Sequence, residues 1–474
     1  MQPISPPAST ESVPESSTFS SLALSDAMLA NLTSLGYAQM TPIQAASLPI
    51  ILQQRDLIAQ AKTGSGKTAA FGLGLLAKLN PNYFAVQALV ICPTRELADQ
   101  VANELRRLAR CIENVKILTL CGGTAMRPQI ASLEHGAHIV VGTPGRILDH
   151  IGRASINLKT VQTLVLDEAD RMVDMGFFED IVGIVAACSP RRQTLLFSAT
   201  YADDIRQASA QFLHEPEEIR VEAQHAANQI EQLFYLVTPE ERNQAVARLL
   251  AHYRPSSTLA FCNTKIHCRE LTEILQEQGI DALALYGDLE QRERDEILVR
   301  FANQSCAVLV ATDVAARGLD IQTLGAVINV DVSKDTEVHI HRIGRTGRAG
   351  EKGLALSLAT ASEKKWVRLI EELQGAPVQW HHLNELTDAS EGQQLLAPMR
   401  CICIMGGKKD KLRPGDLLGA LTGDVGLQKD QVGKINVFEF MTYVALERSI
   451  ASAALEKLSR CNIKGRQFKM RMIA

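Results

Sequence analysis

The sequence predicts an α/β protein with two successive cores, each a parallel sheet flanked by helices, followed by a small α+β domain. Short apolar runs of four to six residues alternate with amphipathic stretches from Phe19 onward. This alternation stops over the polar residues 214–229, which we interpret as an interdomain linker, and then restarts. The last 78 residues follow a β-α-β-β-α-β order. Buried strands that alternate with helices are typical of βαβ units and parallel sheets.

The composition fits this organisation, since 474 residues with 46% hydrophobic side chains suffice for several cores. The opening segment is rich in Ser, Pro and Glu and is expected to be disordered. The predicted divisions are a disordered tail over 1–18, α/β domains over 19–222 and 223–382, a linker over 383–396 and the α+β domain over 397–474.

Charge is distributed unevenly along the chain. Residues 397–474 carry 14 Lys and Arg against 7 Asp and Glu, whereas the preceding residues carry 35 against 46. A basic end on an acidic body indicates a polyanion-binding module attached to a larger protein.

The cysteines and apolar runs indicate the compartment. Ten cysteines are scattered without a CxxC pair, which favours reduced thiols over a zinc knuckle or a disulfide framework. Cys401 and Cys403 alternate with Ile402 and Ile404, as expected for one side of a strand. The apolar runs are shorter than the ~20 residues of a membrane span. We therefore expect a cytoplasmic protein without membrane contact.

A phosphate-binding loop is predicted at AKTGSGKT (61–68), which follows the strand DLIAQ and opens a helix. Small residues there let backbone N–H groups surround phosphates at a helix N-terminus. Lys67 would reach the terminal phosphates and Thr68 would hold Mg²⁺. Ala61 stands where the pattern has its first glycine. The loop residues expected to hold the nucleotide are Ala61, Thr63, Gly64, Ser65, Gly66, Lys67 and Thr68.

Acidic residues follow the buried run TLVL as Asp167-Glu168-Ala169-Asp170. Carboxylates at the carboxyl end of a parallel strand face the ligand crevice. Asp167 would hold Mg²⁺ and Glu168 would orient and deprotonate the attacking water. With the phosphate loop they predict a nucleoside triphosphate hydrolase. A small-molecule kinase is the alternative, and two cores without an obvious acceptor lid argue against it.

From Phe19 to about Ala359 the chain resembles the DEAD-box RNA helicases. The resemblance rests on ordered motifs in both predicted cores: GYAQMTPIQ (36–44), PTRELADQ (93–100), Gly122-Gly123, TPGR (143–146), SAT (198–200), LAFCNT (259–264), QRER (291–294), ATDVAARGLDI (311–321) and HRIGRTGRAG (341–350). It implies two RecA-like helicase domains and an RNA-stimulated ATPase that uses ATP and Mg²⁺.

The resemblance also implies residue roles. Phe19 would stack on adenine and Gln44 would read its edge, while Gly318 and Asp320 would contact sugar and phosphate. Arg345 and Arg348 would act as arginine fingers on the γ-phosphate once the cores close. Ser198, Thr200 and His341 would couple hydrolysis to RNA, so ATP and RNA binding should favour each other. The implied RNA contacts of the cores are Pro93, Thr94, Arg95, Gly123, Thr143, Gly145, Arg146, Gln291, Arg294, Thr312, Asp313 and Arg317.

The element order of the last domain is similar to that of RNA recognition modules, which stack bases on aromatic residues of the sheet. Tyr443 is the central aromatic candidate, and its isolation favours the basic loops instead. The loop candidates are Lys408, Lys409, Lys411, Arg413, Lys464 and Arg466. An inert, solubilising basic module is the alternative.

GGKKDKLRPGDLLGALTG, VGKIN and KGRQFK resemble the module of a bacterial DEAD-box subfamily that anchors to large-subunit rRNA. We therefore expect a monomeric ATP-dependent RNA helicase that unwinds short duplexes of 23S rRNA or large-subunit precursors during ribosome assembly. The alternatives are a general helicase in mRNA decay or cold adaptation and an ATP-dependent RNA clamp without productive unwinding.

Overall fold

The computed structural model describes residues 18–61, 64–200, 209–221, 230–316, 324–347, 352–386 and 394–473. These residues form two compact units, one ending at Val221 and the other beginning at Ile230. The second unit contains both the second α/β core and the α+β domain. The predicted boundary at 222/223 lies outside the described residues, as does the predicted tail up to residue 17.

The first unit is a parallel sheet with strand order β3-β4-β2-β5-β6-β1-β7 and helices on both faces. Its strands are β1 (Leu57–Gln60), β2 (Ala88–Ile91), β3 (Ile117–Leu120), β4 (Ile139–Gly142), β5 (Thr163–Asp167), β6 (Gln193–Ser198) and β7 (Glu217–Arg220). Its helices are α1 (Asp26–Ser34), α2 (Pro42–Leu52), α3 (Lys67–Lys78), α4 (Arg95–Leu108), α5 (Met126–Glu134), α6 (Pro144–Gly152), α7 (Ala169–Asp174) and α8 (Phe178–Ala187).

The apolar strands of this sheet are buried on both faces, as their continuous hydrophobic runs predict. In β5, Val165 packs into the core on one face. Leu164 and Leu166 pack into the core on the other face. This two-sided burial fixes the sheet between its helix layers, so that loops at the carboxyl ends of the strands share one edge.

The second α/β core is also a parallel sheet, with strand order β10-β11-β9-β12-β13-β8-β14. Its strands are β8 (Ile230–Leu236), β9 (Thr258–Cys262), β10 (Ala282–Leu285), β11 (Val308–Thr312), β12 (Ala326–Asn329), β13 (Gly353–Ala359) and β14 (Gln379–His381). Its helices are α9 (Arg242–Tyr253), α10 (Lys265–Glu277), α11 (Gln291–Ala302), α12 (Asp313–Ala316), α13 (Thr336–Ile343) and α14 (Lys364–Gln374). Leu386, within the predicted linker, packs into this core.

The α+β domain has the predicted β-α-β-β-α-β order and an antiparallel sheet, β16-β17-β15-β18. Its elements are β15 (Met399–Ile404), α15 (Pro414–Gly419), β16 (Val432–Val437), β17 (Thr442–Glu447), α16 (Ala451–Arg460) and β18 (Met470–Ile473). The predicted fold class, two RecA-like parallel-sheet domains and an RNA-recognition-like domain, is confirmed.

All ten cysteines are free thiols, as predicted. Burial raises the pKa of Cys188 and of Cys268 to about 11, which keeps both thiols protonated at neutral pH. Among the described residues, no helix is both long enough and apolar enough to cross a bilayer.

Candidate functional site

The candidate nucleotide site lies at the carboxyl edge of the first sheet. The phosphate loop follows β1, the acidic segment follows β5 and SAT ends β6, and β6 lies between β5 and β1 in the sheet. Because parallel strands end at the same edge, three motifs that are distant in sequence lie side by side.

The phosphate loop leads directly into α3. Gly66 precedes that helix with a φ of 95°, a conformation that favours glycine. The Lys67 side chain is buried and its Nζ donates to the Ala61 carbonyl at 3.0 Å. The buried Ser65 hydroxyl has no hydrogen-bond partner within the described structure. An unpartnered hydroxyl, a buried ammonium and the free N–H groups of a helix start form a cradle that suits an anion.

The segment predicted to read adenine is bonded to this loop. Gln44 Oε1 accepts from the Thr41 N–H at 2.9 Å, and its Nε2 donates to the Gly66 carbonyl at 3.1 Å. Phe19 is buried and packs edge-on against Tyr37, with ring centroids 6.2 Å apart. Gln44 is therefore bonded to the phosphate loop, whereas Phe19 packs against Tyr37 of the same predicted motif. The adenine contacts of both residues stay predictions.

Asp167 and Glu168 occupy the buried end of β5. Asp167 Oδ1 has no hydrogen-bond partner among the described residues. Burial raises the pKa of Asp167 to about 6, against the lowering effect of Lys67. A buried carboxylate oxygen without a partner, next to an ammonium, fits a Mg²⁺ ion bound with phosphate oxygens. Glu168 has a left-handed backbone (φ 55°) and forms a buried ion pair with Arg171 at 2.8 Å.

Asp170 connects the acidic segment to SAT. Its Oδ2 accepts from the backbone N–H groups of Ala199 and Thr200, both at 3.1 Å, and from the Thr200 hydroxyl at 3.3 Å. The Ser198 hydroxyl donates to the Thr200 carbonyl. Asp170 thus joins the acidic segment by hydrogen bonds to the segment predicted to couple hydrolysis to RNA.

The predicted RNA residues of this unit lie on the other half of the same edge, after β2, β3 and β4. Thr94 caps α4 by accepting from the Leu97 N–H at 3.3 Å. Gly123 has a φ of 70°, and a Cβ there would lie 2.3 Å from Arg95 Nη1. Arg95 therefore packs over the glycine, which explains the absence of a side chain at that position. Pro93 is buried beside them.

Arg146 is held by a polar network. Its Nη1 donates to the Thr124 carbonyl and to Gln129 Oε1, both at 3.0 Å. His150 Nε2 also contacts Gln129 Oε1 at 3.0 Å. Gln129 thus joins the glycine segment to TPGR, a role that the sequence did not reveal. Of the other two predicted TPGR contacts, Thr143 precedes α6 and Gly145 lies in its first turn with open space above its Cα.

In the second core, the predicted RNA residues follow β10 and β11. Gln291 and Arg294 lie in the first turn of α11, where Gln291 Nε2 donates to Asp295 at 2.7 Å and Arg294 Nη2 donates to the Ala315 carbonyl at 2.6 Å. Thr312 ends β11 and Asp313 begins α12. The Arg294 contact holds the two segments together.

Arg342 organises this part of the core, although the sequence did not single it out. Its guanidinium binds both carboxylate oxygens of Asp313 at 2.6 Å and donates to the Asp331 carbonyl at 2.6 Å. It also donates to Asn263 Oδ1 at 3.1 Å and lies 5.1 Å from the Phe261 ring centre. Three predicted motifs, LAFCNT, ATDVAARGLDI and HRIGRTGRAG, therefore meet at one buried side chain.

Five predicted site residues lie outside the described residues: Thr63, Arg317, Gly318, Asp320 and Arg348. Arg345 is described and its side chain is buried, and His341 lies in α13.

Cys262, His267 and Asp331 place their ligand atoms within 4.8 Å of one another. Asp331 is already bonded to Arg242 at 2.6 Å, and His267 Nε2 contacts Asn243 at 2.7 Å. The network satisfies these groups internally, so we assign it a structural role.

The basic loops of the last domain converge. Lys464 Nζ donates to the Lys411 carbonyl at 3.0 Å and lies 3.6 Å from Asp416. Arg466 lies 3.9 Å from Asp410. The predicted loop residues are therefore neighbours on one surface, with Lys408 and Lys409 exposed and the Arg413 N–H bonded to Asp416.

Tyr443 requires a correction. The ring is 3% exposed and packs with Cys401, Cys403 and Ile473 against Val299 of the second core. Burial raises the pKa of its hydroxyl, which lies 3.6 Å from Met441 Sδ. The expectation that Tyr443 stacks on a base is wrong, because α11 covers this face of the sheet.

Polar contacts fix the same interface. Asn303 Nδ2 lies 3.5 Å from Cys401 Sγ, and Arg448 forms an ion pair with Asp281. Arg448 Nε also donates to the Ala397 carbonyl at 2.5 Å. The face on which RNA recognition modules stack bases is thus occupied by the second core.

Comparisons with known proteins agree with this geometry. Residues 41–208 match the DEAD/DEAH box helicase model, residues 241–350 match the helicase conserved C-terminal domain and residues 401–472 match the DbpA RNA binding domain.

Among curated proteins, the chain is 50% identical over 451 residues to the ATP-dependent RNA helicase DbpA of Escherichia coli K12, covering 95% of this chain and 98% of that protein. It is 46% identical over 380 residues to the DEAD-box ATP-dependent RNA helicase CshA of Bacillus cereus, covering 80% of this chain and 72% of that one.

Among solved structures, the chain matches S. cerevisiae Dbp5 bound to RNA and ADP BeF3, with a TM-score of 0.72 and 29% identity over 78% of this chain and 96% of that one. Two helicase models, a domain model for the RNA-binding end and a relative aligned over nearly its full length agree on one conclusion. The chain belongs to the DEAD-box family and is an ATP-dependent RNA helicase that ends in a DbpA-type RNA-binding domain.

Proposed function

We propose that this helicase couples ATP hydrolysis to local separation of short RNA duplexes in 23S rRNA, on large-subunit precursors during ribosome assembly. The observation that carries the proposal is the DbpA-type domain match over 401–472, on a part of the chain with a basic surplus. The acidic body offers little nonspecific attraction for RNA, which leaves targeting to this domain. Action as a monomer in the cytoplasm belongs to the same proposal.

For hydrolysis, Lys67 and the N-terminal N–H groups of α3 bind the terminal phosphates. Thr68 and Asp167 would hold Mg²⁺, which neutralises phosphate charge when bound. Glu168 orients and deprotonates the attacking water, and its ion pair with Arg171 fixes the carboxylate. Phe19, Gln44, Gly318 and Asp320 are proposed nucleotide contacts, and Arg345 and Arg348 are proposed arginine fingers.

In the first core, the residues after β2, β3 and β4 bind the RNA backbone. In the second core, the residues at the starts of α11 and α12 bind it. Contacts limited to phosphates and 2′-hydroxyls give a preference for RNA without a sequence preference. Asp170, Ser198 and Thr200 connect these RNA-binding segments to the phosphate site. We propose that His341 also couples hydrolysis to RNA binding.

The test is steady-state ATP hydrolysis by the intact protein without RNA, with poly-A and with a 23S rRNA fragment. Strong stimulation by the rRNA fragment alone supports the proposal. Equal stimulation by both RNAs favours a general helicase in mRNA decay or cold adaptation. Stimulated hydrolysis without separation of a short duplex attached to the fragment favours an RNA clamp.

A charge variant tests the targeting domain. Replacing Lys408, Lys409 and Arg413 with Ala should lower the salt dependence of rRNA binding by ~2 to 3 in slope, since each phosphate contact contributes ~0.7 to 0.9. The matched control replaces three exposed lysines elsewhere in the domain, Lys429, Lys434 and Lys457. Equal slopes for the two variants would move the RNA contact away from the 406–416 loop.

A further inference from the structure

The turn between β16 and β17 exposes large apolar side chains. Phe440 is 66% exposed and Phe438 is 37% exposed, and Met405, which follows β15, is 50% exposed. We call residues 438–441 the aromatic turn. It lies at the end of the sheet, whereas the face of the sheet is covered by α11. Exposed apolar side chains clustered in this way mark an interaction site more often than scattered ones do.

The aromatic turn is rigidly supported. The Phe438 N–H donates to the Met441 carbonyl at 2.8 Å. The Lys408 N–H donates to the Phe438 carbonyl at 2.8 Å, and the Lys409 N–H donates to the Glu439 carbonyl at 3.0 Å. The Phe438 ring stands edge-on to Tyr443, with centroids 5.6 Å apart. The Phe438 ring and the backbone that carries Phe440 are therefore positioned before any ligand arrives, which lowers the entropic cost of binding.

Gly407 permits this close approach. A Cβ at Gly407 would lie 2.4 Å from the Phe438 carbonyl oxygen and 2.6 Å from the Glu439 carbonyl oxygen. Neither backbone atom can move without breaking the bonds that the two lysine N–H groups make. The glycine thus places Lys408 and Lys409 directly beside the aromatic turn.

The charge around the turn favours a polyanion. Lys408 and Lys409 are exposed on one side. The Met405 N–H donates to the Lys469 carbonyl at 2.8 Å, which brings a third exposed lysine alongside. Glu439 is the acidic residue within the turn itself. Exposed aromatic side chains with lysines beside them suit single-stranded nucleic acid, whose bases stack on the rings and whose phosphates bind the lysines.

The turn also adjoins the second core. Arg292 Nη2 lies 3.7 Å from Met441 Sδ. Arg292 belongs to QRER at the start of α11, a segment that we assign to RNA. QRER and the aromatic turn are therefore in direct contact, so an RNA strand held at QRER would lie beside the aromatic turn.

We propose that the aromatic turn stacks unpaired bases of the RNA strand adjacent to the segment held at QRER, with Phe440 as the principal ring and Lys408 and Lys409 on its phosphates. The inference rests on the RNA path of the proposed function and adds a base-stacking site to it. It assigns stacking to the end of the sheet and leaves Tyr443 as the support of Phe438.

The experiment measures binding of the full chain to a labelled rRNA hairpin with a single-stranded extension, by fluorescence anisotropy over a salt series. Phe440→Ala should weaken binding ~5- to 150-fold, the range that base–aromatic stacking supports, with an unchanged salt slope. Phe440→Trp should restore affinity. Leu373→Ala, which truncates a 53% exposed side chain of α14, is the matched control and should bind as the unaltered protein does.

A second readout identifies the contact. RNA carrying 5-iodouracil in the extension should cross-link to the aromatic turn and lose that cross-link in Phe440→Ala. Equal affinity of Phe440→Ala and Leu373→Ala, or a cross-link elsewhere, overturns the proposal and leaves a protein partner as the occupant. Poly-A and rRNA extensions are compared in parallel: a Phe440 effect with both RNAs retains the stacking site even if rRNA selectivity fails.

Discussion

Replacing Arg342 with Gln should destabilise the second core more than any exposed arginine replacement. The Arg342 side chain is 1% exposed and binds both oxygens of Asp313. It also satisfies the Asp331 carbonyl and Asn263 Oδ1. Glutamine is shorter and neutral, so it leaves the Asp313 carboxylate without its counter-charge and the other two acceptors without a donor.

The magnitude follows from the burial of the pair. Removing one partner of a buried ion pair costs about 3–5 kcal/mol. The Asp313 side chain is 23% exposed and therefore partly solvated. The loss of stability should lie near the lower end of that range, ~3 kcal/mol. In a domain of this size, 1 kcal/mol shifts Tm by about 2–4 °C. The transition of the second core should therefore fall by ~6–12 °C.

The assay is thermal unfolding of the full chain, with hydrogen exchange of peptides from residues 230–386 to assign the transition. Arg368→Gln, at an exposed position of α14, is the matched control. Arg342→Gln combined with Asp313→Asn should recover part of the loss, because it removes the uncompensated charge. The reasoning is refuted if Arg342→Gln melts within ~1 °C of Arg368→Gln, or if the double variant is less stable than the single variant.

Three further outcomes are expected. Lys67→Ala should abolish ATP turnover because it removes the cation aimed at the terminal phosphates, and retained phosphate release would show that the loop is misassigned. Gly66→Ala should weaken binding of a fluorescent ATP analogue ~10-fold, because its Cβ would lie 2.5 Å from Gln44 Nε2 at a φ of 95°. Burial lowers the pKa of His339 to about 4, below its ordinary value of 6.5, so the unfolded chain binds more protons between these values. The free energy of unfolding of the second core should therefore fall by up to ~3 kcal/mol as the pH is lowered from 6.5 to 4. In His339→Gln, the midpoint of urea unfolding should depend less on pH across that window.

The sequence predicted the strands, their order of appearance and the phosphate loop because these depend on local patterns. Most strands of the first core are short apolar runs, and burial on both faces is what such runs require. The edge strand β7 (Glu217–Arg220) is polar and partly exposed, so the prediction that residues 214–229 are only a linker was wrong there. The phosphate loop is one contiguous segment at a strand–helix junction, so its geometry follows from its own residues. Asp167 and Glu168 could be placed beside it because the carboxyl ends of parallel strands share an edge.

Residues that act through distant partners were missed. Arg342 binds Asp313, 29 positions away, and Gln129 joins Thr124 to Arg146. Arg171 pairs with Glu168 within one turn, but a charged residue in a short helix gives no indication that it is buried. Such roles depend on which loops meet at the sheet edge, and no local pattern encodes that meeting.

Tyr443 shows why the RNA surface of the last domain was assigned incorrectly in part. Strand alternation correctly separates Cys401 and Cys403 from Ile402 and Ile404, so the two faces of β15 were identifiable. Alternation cannot say what covers the second face. The cover is Val299, 144 positions before Tyr443, and only the folded chain reveals it.

The docking of the last domain on α11 places two proposed RNA-binding surfaces in one unit. The start of α11 carries Gln291 and Arg294, which we propose contact RNA, and the same helix packs against the sheet of the last domain through Val299. The ion pair between Arg448 and Asp281 adds a second contact between the last domain and the second core. An RNA bound by the last domain would therefore lie close to the proposed RNA segment of the second core. We therefore expect the last domain to select the RNA, whereas Lys67 and Asp167, which we propose bind the phosphates and Mg²⁺, lie in the first unit. Substitutions in the last domain should therefore change RNA selectivity and leave ATP hydrolysis without RNA unchanged.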